Sequence, residues 1–105
     1  MIVEYDKEYL RELYEEGKCK EKKHRFQASV ITKYQKRIDT LMAATRKEDL
    51  FVFRSLNFEA LHGSKEGLFS IRVDGQYRLE FALSEEGADP VITIATITEL
   101  SNHYK

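Results

Sequence analysis

The sequence predicts an α+β domain, with two N-terminal helices packed on one face of a small antiparallel β-sheet. Three patterns carry this expectation. Phe26, Val30, Tyr34, Ile38, Leu41 and Met42 recur at three- and four-residue spacing, the period of a helix with one buried face. Phe69, Ile71 and Val73, then Tyr77, Leu79, Phe81 and Leu83, alternate on either side of Asp74-Gly75-Gln76, the period of two hairpin strands. Val91–Thr98 is rich in β-branched residues and supplies a last strand. Helical patterns followed by strand patterns are the order of an α+β fold with its helices gathered on one face of the sheet.

The elements follow in order. Ile2-Val3-Glu4-Tyr5 reads as a short strand, and Asp6 is placed to cap the helix after it with its carboxylate. That helix runs to about Glu16 on a stripe of Tyr9, Leu10, Leu13 and Tyr14, with Gly17 as its stop. A basic link, Lys18–Arg25, leads to the second helix, roughly Phe26 to Ala44, whose Lys33, Lys36 and Arg37 lie off the apolar stripe. Thr45-Arg46-Lys47-Glu48 matches a capping box and predicts a short third helical turn. Leu56–Gly67 connects to the hairpin, and Pro90 stands at the entrance of the last strand, where a missing N–H does little harm. Without repeats, low-complexity tracts or linkers, residues 1–105 read as a single domain with one modest core.

The hairpin admits two registers. A two-residue Asp-Gly turn pairs Arg72 with Tyr77, and a three-residue Asp-Gly-Gln loop pairs Arg72 with Arg78. Only the three-residue loop puts both apolar sets on one face, because a one-residue slip turns a whole set to solvent. Arg72 and Arg78 then face one another on the opposite face, which is expected to be open. Like charges directly opposite cost about 0.2–1 kcal/mol, so a partner is wanted. Glu80 and Glu59 are the structural partners available. The functional partner is an anion, and phosphate suits the planar fork of arginine.

The formal net charge of −1 conceals strong segregation: residues 1–17 carry −4, residues 18–47 carry +8 and residues 48–105 carry −5. A compact protein with one strongly basic segment attracts polyanions locally. No apolar run is long enough to span a bilayer, and no leader pattern opens the chain. The single cysteine, Cys19, excludes an internal disulfide and fits a reducing cytoplasm. Metal-ligand spacing, a P-loop and a nucleophile elbow are all missing, so neither a metal nor a nucleotide cofactor is expected.

Leu56-Asn57-Phe58-Glu59-Ala60-Leu61-His62-Gly63, then Lys65-Glu66-Gly67-Leu68-Phe69-Ser70-Ile71-Arg72-Val73 and Gln76-Tyr77-Arg78-Leu79-Glu80-Phe81, resembles the HigB branch of the RelE/ParE toxin superfamily. Members of that family show a leucine–basic–glycine turn, a Ser-Ile-Arg strand and a Gln-Tyr-Arg strand. The resemblance implies a RelE-like fold and the toxin of a type II toxin–antitoxin pair. It further implies an mRNA interferase, a metal-independent endoribonuclease acting on messenger RNA in the ribosome. There the ribose 2′-hydroxyl attacks the adjacent phosphorus and leaves a 2′,3′-cyclic phosphate. Its implied partners are the ribosome, mRNA and a helix-turn-helix, HigA-like antitoxin.

On this resemblance Arg78 matches the family's strand arginine, which stabilises transition-state charge, and Arg72 matches a phosphate-binding position. His62 stands where the family often has lysine, and Glu59 falls near the family's upstream histidine, making it a candidate base. Where HigB-like chains often end in Asp-Tyr-His, this one has Asn102-His103-Tyr104. His103 is then a candidate for proton transfer, since histidine titrates near neutrality, and Tyr104 for stacking on a base. Lys22, Lys23, Arg25, Lys33, Arg37 and Lys65 are expected on RNA phosphates, which position a strand without specifying its sequence. Two other readings stay open: a ParE-like inhibitor of DNA gyrase with no chemistry of its own, and a toxin-derived binding module that has lost activity.

Overall fold

The computed structural model describes residues 1–102. In chain order it contains β1 (Ile2–Tyr5), α1 (Glu8–Glu15), α2 (Ala28–Ala43), α3 (Glu48–Phe51), β2 (Glu59–Ala60), β3 (Leu68–Arg72), β4 (Tyr77–Glu86) and β5 (Ile92–Asn102). Single 3-10 turns lie at Lys22–His24, Arg54–Leu56 and Gly63–Lys65. The five strands form one sheet in the order β1-β5-β4-β3-β2. Strands β3, β4 and β5 form the antiparallel meander that the patterns predict, and β2, a two-residue strand within the segment read as a connection, pairs antiparallel with β3. The sheet as a whole is mixed, because β1 lies parallel to β5 with Ile2 against Ile94 and Tyr5 against Ile97.

Helices α1 and α2 cover one face. Leu10 and Leu13 of α1 and Val30, Tyr34, Ile38 and Leu41 of α2 close on Ile71, Val73, Leu79, Phe81, Ala95 and Ile97 of the sheet. These are the apolar positions at helical and strand spacing in the sequence, and burying each such side chain is worth roughly 1.5–3 kcal/mol. The Tyr34 ring is fully buried, and its hydroxyl donates to the Leu10 carbonyl at 2.8 Å. Burial holds its ionisation far above the ordinary phenol value. The N-terminal ammonium of Met1 donates to the Leu41 and Ala44 carbonyls, a cation at the carbonyl end of α2.

Both capping expectations are corrected. Lys7, not Asp6, occupies the start of α1 and makes no side-chain cap; the Asp6 N–H instead donates to the Ile97 carbonyl at 2.8 Å, extending the β1–β5 pairing. At α3 the cap is Asp49, whose Oδ2 accepts from the N–H groups of Thr45 (2.8 Å) and Arg46 (3.2 Å). These bonds hold the Asp49 carboxyl below its ordinary pKa. Helix α2 begins at Ala28, since Phe26 and Gln27 remain outside it and the Phe26 ring meets the Tyr77 ring edge-on at 5.5 Å. The last strand runs on past Thr98 to Asn102. Opposite Glu80 and Phe81 stand Glu99 and Ile97, so Thr98 is an extra, bulged residue. The bulge resets the alternation, which is why Ile97 and Leu100, three residues apart, are both buried.

The register of the central hairpin is the three-residue loop: Arg72 pairs with Arg78 and Ile71 with Leu79. Asp74 Oδ1 closes that loop by accepting from the Gln76 (2.8 Å) and Tyr77 (2.7 Å) N–H groups. The Tyr34→Phe substitution is expected to keep the fold and lower unfolding free energy by about 1 kcal/mol. Urea unfolding followed by far-UV circular dichroism measures that difference.

Candidate functional site

The face of the sheet turned away from α1 and α2 carries the polar rows of β3, β4 and β5. Arg78 of β4 is expected on an open surface, but it is only 7% exposed. Three elements enclose it. From β3, Ser70 sits diagonally across the strand pair and accepts from Arg78 Nε at 2.9 Å. From the turn after Leu56, the Asn57 carbonyl accepts from Nη2 at 2.6 Å. From β2, Glu59 Oε1 lies 3.3 Å from the same nitrogen. Asn57 can present its carbonyl this way because it adopts the left-handed conformation, with φ at 47°; asparagine is among the few non-glycine residues that enter it readily. Nη1 takes part in none of these contacts. Among the described residues the guanidinium is thus fixed through Nε and Nη2, which prepares it to take one more anionic oxygen.

Arg72, directly opposite in the register, is turned elsewhere. Its side chain is exposed, and its Nε donates to the Asp74 carbonyl at 3.1 Å in the hairpin loop. Arg37 of α2 reaches the same strand end and donates from Nε to the Arg72 carbonyl at 2.8 Å. Two cations that the pairing sets side by side are thus parted, one held into the sheet and the other laid toward α2.

Glu80 does not serve Arg78. It is 6% exposed and takes Lys65 Nζ at 2.8 and 3.0 Å on its two oxygens. Glu99, paired with Glu80 across β4 and β5, lies 3.7 Å from the same ammonium. One lysine from the Gly63–Lys65 turn therefore bridges two facing carboxylates. The hydrogen bond to Glu80 is the main reason the Lys65 pKa is raised.

His62 is in the same connection but turned outward, with its side chain 81% exposed and Nδ1 3.6 Å from Glu66. Lys22, Lys23 and Arg25 are exposed on the link between α1 and α2, where the His24 ring stacks flat on Tyr9 at 3.7 Å. Lys33 and Arg37 project from α2 beside the hairpin loop, in a cleft with Arg72. His103 and Tyr104 lie outside the described residues. Of the residues singled out in the sequence, the structure therefore joins Glu59 to Arg78, Lys33 and Arg37 to Arg72, and Lys65 to Glu80. Sequence reasoning missed Ser70 and Asn57 as supports of Arg78. A serine at the centre of an apolar strand, aligned with arginine on the polar face, was the available signal for the first; the Asn57 carbonyl had none. Among the described residues, no three His, Cys, Asp or Glu side chains converge as metal ligands, and no helix is long and apolar enough to cross a membrane.

Lys65 is 42% exposed and Glu80 8%, so their pair stands between a surface and a buried ion pair. Lys65→Met is expected to cost about 1–2 kcal/mol in chemical unfolding. Because pairing raises the lysine pKa, this contribution is complete below the ordinary value of 10.5 and disappears as pH rises through the higher folded value. The penalty should accordingly stay constant from neutral pH up to the ordinary lysine value and shrink beyond it, measured as the difference between parent and variant melts.

Comparison with known proteins identifies the lineage. The HigB-like toxin family model, described as the RelE-like toxin of type II toxin-antitoxin system HigB, matches residues 3–92. Toxin HigB-1 of Vibrio cholerae serotype O1 is 34% identical over 82 residues, covering 77% of this chain and 82% of its own. Among solved structures, the YoeB/ParE toxin from Agrobacterium tumefaciens aligns with a TM-score of 0.61 and 18% identity over 99% of this chain and 100% of that one. YafQ from E. coli strain BL21(DE3) aligns with a TM-score of 0.62 and 14% identity, over 96% and 91% respectively. These two structures share the fold. The chain belongs to the HigB-like family of RelE-like toxins, the toxin component of a type II toxin–antitoxin system, and a cognate antitoxin is the partner that membership implies.

Proposed function

We propose that this toxin is an mRNA interferase, a metal-independent endoribonuclease that cuts messenger RNA on the ribosome, with residues 1–105 forming a single toxin domain. The observation that carries the reading is the Arg78–Glu59 contact at 3.3 Å. A nearly buried guanidinium already holds an anionic oxygen there, and that carboxylate is on a side chain 49% exposed, free to swing out. A substrate phosphate takes its place. Arg78, fixed by Ser70 and Asn57, then neutralises charge that grows on the phosphorane, the kind of preorganised stabilisation that enzymes use most.

Glu59, displaced by the phosphate, is left beside it as the base. The 2′-hydroxyl gives its proton to Glu59 as its oxygen bonds to phosphorus, the P–O5′ bond breaks, and the leaving 5′-oxygen takes a proton from an acid. His103 and His62 are the candidates for that acid, and Tyr104 for stacking against a base of the RNA. Lys22, Lys23 and Arg25 suit phosphate contacts along the RNA, with Lys65 holding the polar face together through Glu80. The setting for such chemistry is the cytoplasm, and the antitoxin expected alongside is a helix-turn-helix, HigA-like protein.

Induction in a translating extract with a reporter mRNA, followed by mapping of 5′ ends, tests the reading. Discrete new ends are expected. Intact mRNA with translation continuing, or inhibition of supercoiling by purified gyrase in place of cleavage, contradicts it. Arg78→Ala should lower cleavage by about 100- to 1,000-fold and abolish growth arrest, while co-purification with the antitoxin persists and reports that the variant is folded.

A further inference from the structure

We infer that the pocket between the end of α1 and the basic link is a docking site for an arginine of the cognate antitoxin, with the Glu12 carboxylate as the anion that receives it. The inference rests on membership of a toxin–antitoxin pair and holds whether or not the chain cuts RNA. The pocket measures about 420 Å³ and is lined by Glu12 and Glu16 at the helix end and by Lys18, Cys19 and Lys20 of the link. Glu12 follows Tyr9 by three residues, at the edge of the stripe of Tyr9, Leu10 and Leu13, so the packing that buries those side chains carries it inward. It is 5% exposed. The other carboxylates of this helix end share Arg11, which binds Glu8 at 2.7 Å and Glu15 at 2.6 Å and stands 4.0 Å from Glu16. Among the described residues, no hydrogen bond or ion pair reaches the Glu12 side chain. The last turn of α1 holds no basic residue, although the helix's own field is negative there.

A carboxylate shut away from water is destabilising unless an opposite charge and hydrogen bonds replace that water. A guanidinium does both, because its planar fork takes the two oxygens of one carboxylate together. The pocket suits that group better than a metal ion. Cys19 Sγ donates to the carbonyls of Glu21 (3.6 Å) and His24 (3.3 Å), and burial, helped by the nearby Glu12 charge, pushes its thiol above the ordinary pKa. The sulfur is therefore a neutral wall rather than a thiolate ligand. Lys18 and Lys20 are exposed at the rim and, among the described residues, form no ion pair. They complement acidic neighbours of the incoming arginine, so the pocket selects a segment in which arginine is flanked by carboxylates. Glu12 belongs to the helical layer and Arg78 to the opposite face of the sheet, so this contact involves none of the residues that hold Arg78.

The test measures the affinity of the full chain for the purified antitoxin from the adjoining reading frame. Glu12→Gln keeps the size of the side chain and removes its charge. It should weaken binding about 30-fold or more, mainly through faster dissociation. The Tm of the free variant should hold or rise, because an uncompensated buried charge is gone. A lower Tm would mean that Glu12 already has its partner within the chain, and overturns the inference. Each antitoxin arginine is then replaced by glutamine; for one of them, its loss combined with Glu12→Gln should cost no more than either change alone. Parental affinity of Glu12→Gln, or additive losses with every antitoxin arginine, overturns the inference. An equal loss from Glu15→Gln does the same, since it assigns the effect to the general acidity of α1. A dimer of the chain alone that Glu12→Gln dissolves gives the pocket to a second copy and also overturns it. A parent that cuts no mRNA, beside a Glu12→Gln variant that has lost the antitoxin, would refute the interferase reading and leave this site standing.

Discussion

The clasp on Arg78 is the interaction on which the polar side of this molecule depends. A guanidinium held at 7% exposure cannot be left without partners, because a desolvated charge costs several kcal/mol unless hydrogen bonds and an opposite charge replace water. Ser70, Asn57 and Glu59 meet that requirement from three separate segments. Their convergence explains otherwise arbitrary features of the chain between α3 and β3. The 3-10 turn at Arg54–Leu56 ends in a left-handed asparagine, which aims a carbonyl at Nη2. The two-residue strand β2 is just long enough to pair Glu59 with Ser70 and set its carboxylate beside the arginine.

Pairing of like charges is the recurring difficulty of this sheet, and it is solved twice by different means. Glu80 and Glu99 face each other across β4 and β5 and are reconciled by a lysine placed between them. Arg72 and Arg78 face each other across β3 and β4 and are reconciled by divergence, with Arg78 drawn inward and Arg72 laid along the loop toward α2. The first solution is internal to the sheet and its flanking turn. Among the described residues, the second leaves Arg72 without an ion pair and Arg78 against the half-exposed Glu59, which is the arrangement expected of a surface that receives a polyanion. The net charge of −1 gives no hint of this, since the acidic residues that balance the basic segment lie elsewhere in the chain.

Much of the fold was legible because it is periodic. The stripe from Val30 to Leu41 specified α2, and the need to bury Phe69, Ile71, Leu79 and Phe81 together specified the hairpin register. Non-periodic decisions were not legible. The bulge at Thr98 breaks the alternation and hid the last turns of β5, and the parallel partnership of β1 with β5 is a long-range choice with no local signature. Asp6 looked like a cap and became a strand extension, while Asp49, one residue past the expected capping box, took the capping role. At the site, residue types were readable and their directions were not. Arg72 and Arg78 were visible as a pair, yet their separation depends on Ser70, Asn57 and Arg37, contacts that only the folded chain brings together.

If Arg78 acts as the preset anion-binding group, its orientation matters as much as its charge. Ser70 controls that orientation through Nε and is itself only 1% exposed, so it acts through Arg78 as a positioning residue. The direct measurement is the single-turnover rate of mRNA cleavage on programmed ribosomes at saturating toxin, comparing Ser70→Ala with the parent at equal folded fraction. Saturation removes differences in binding and leaves the chemical step. The account predicts a rate roughly 10- to 100-fold lower, the scale on which misplacing a catalytic group acts. A Ser70→Ala protein that cleaves at the parental rate would contradict it.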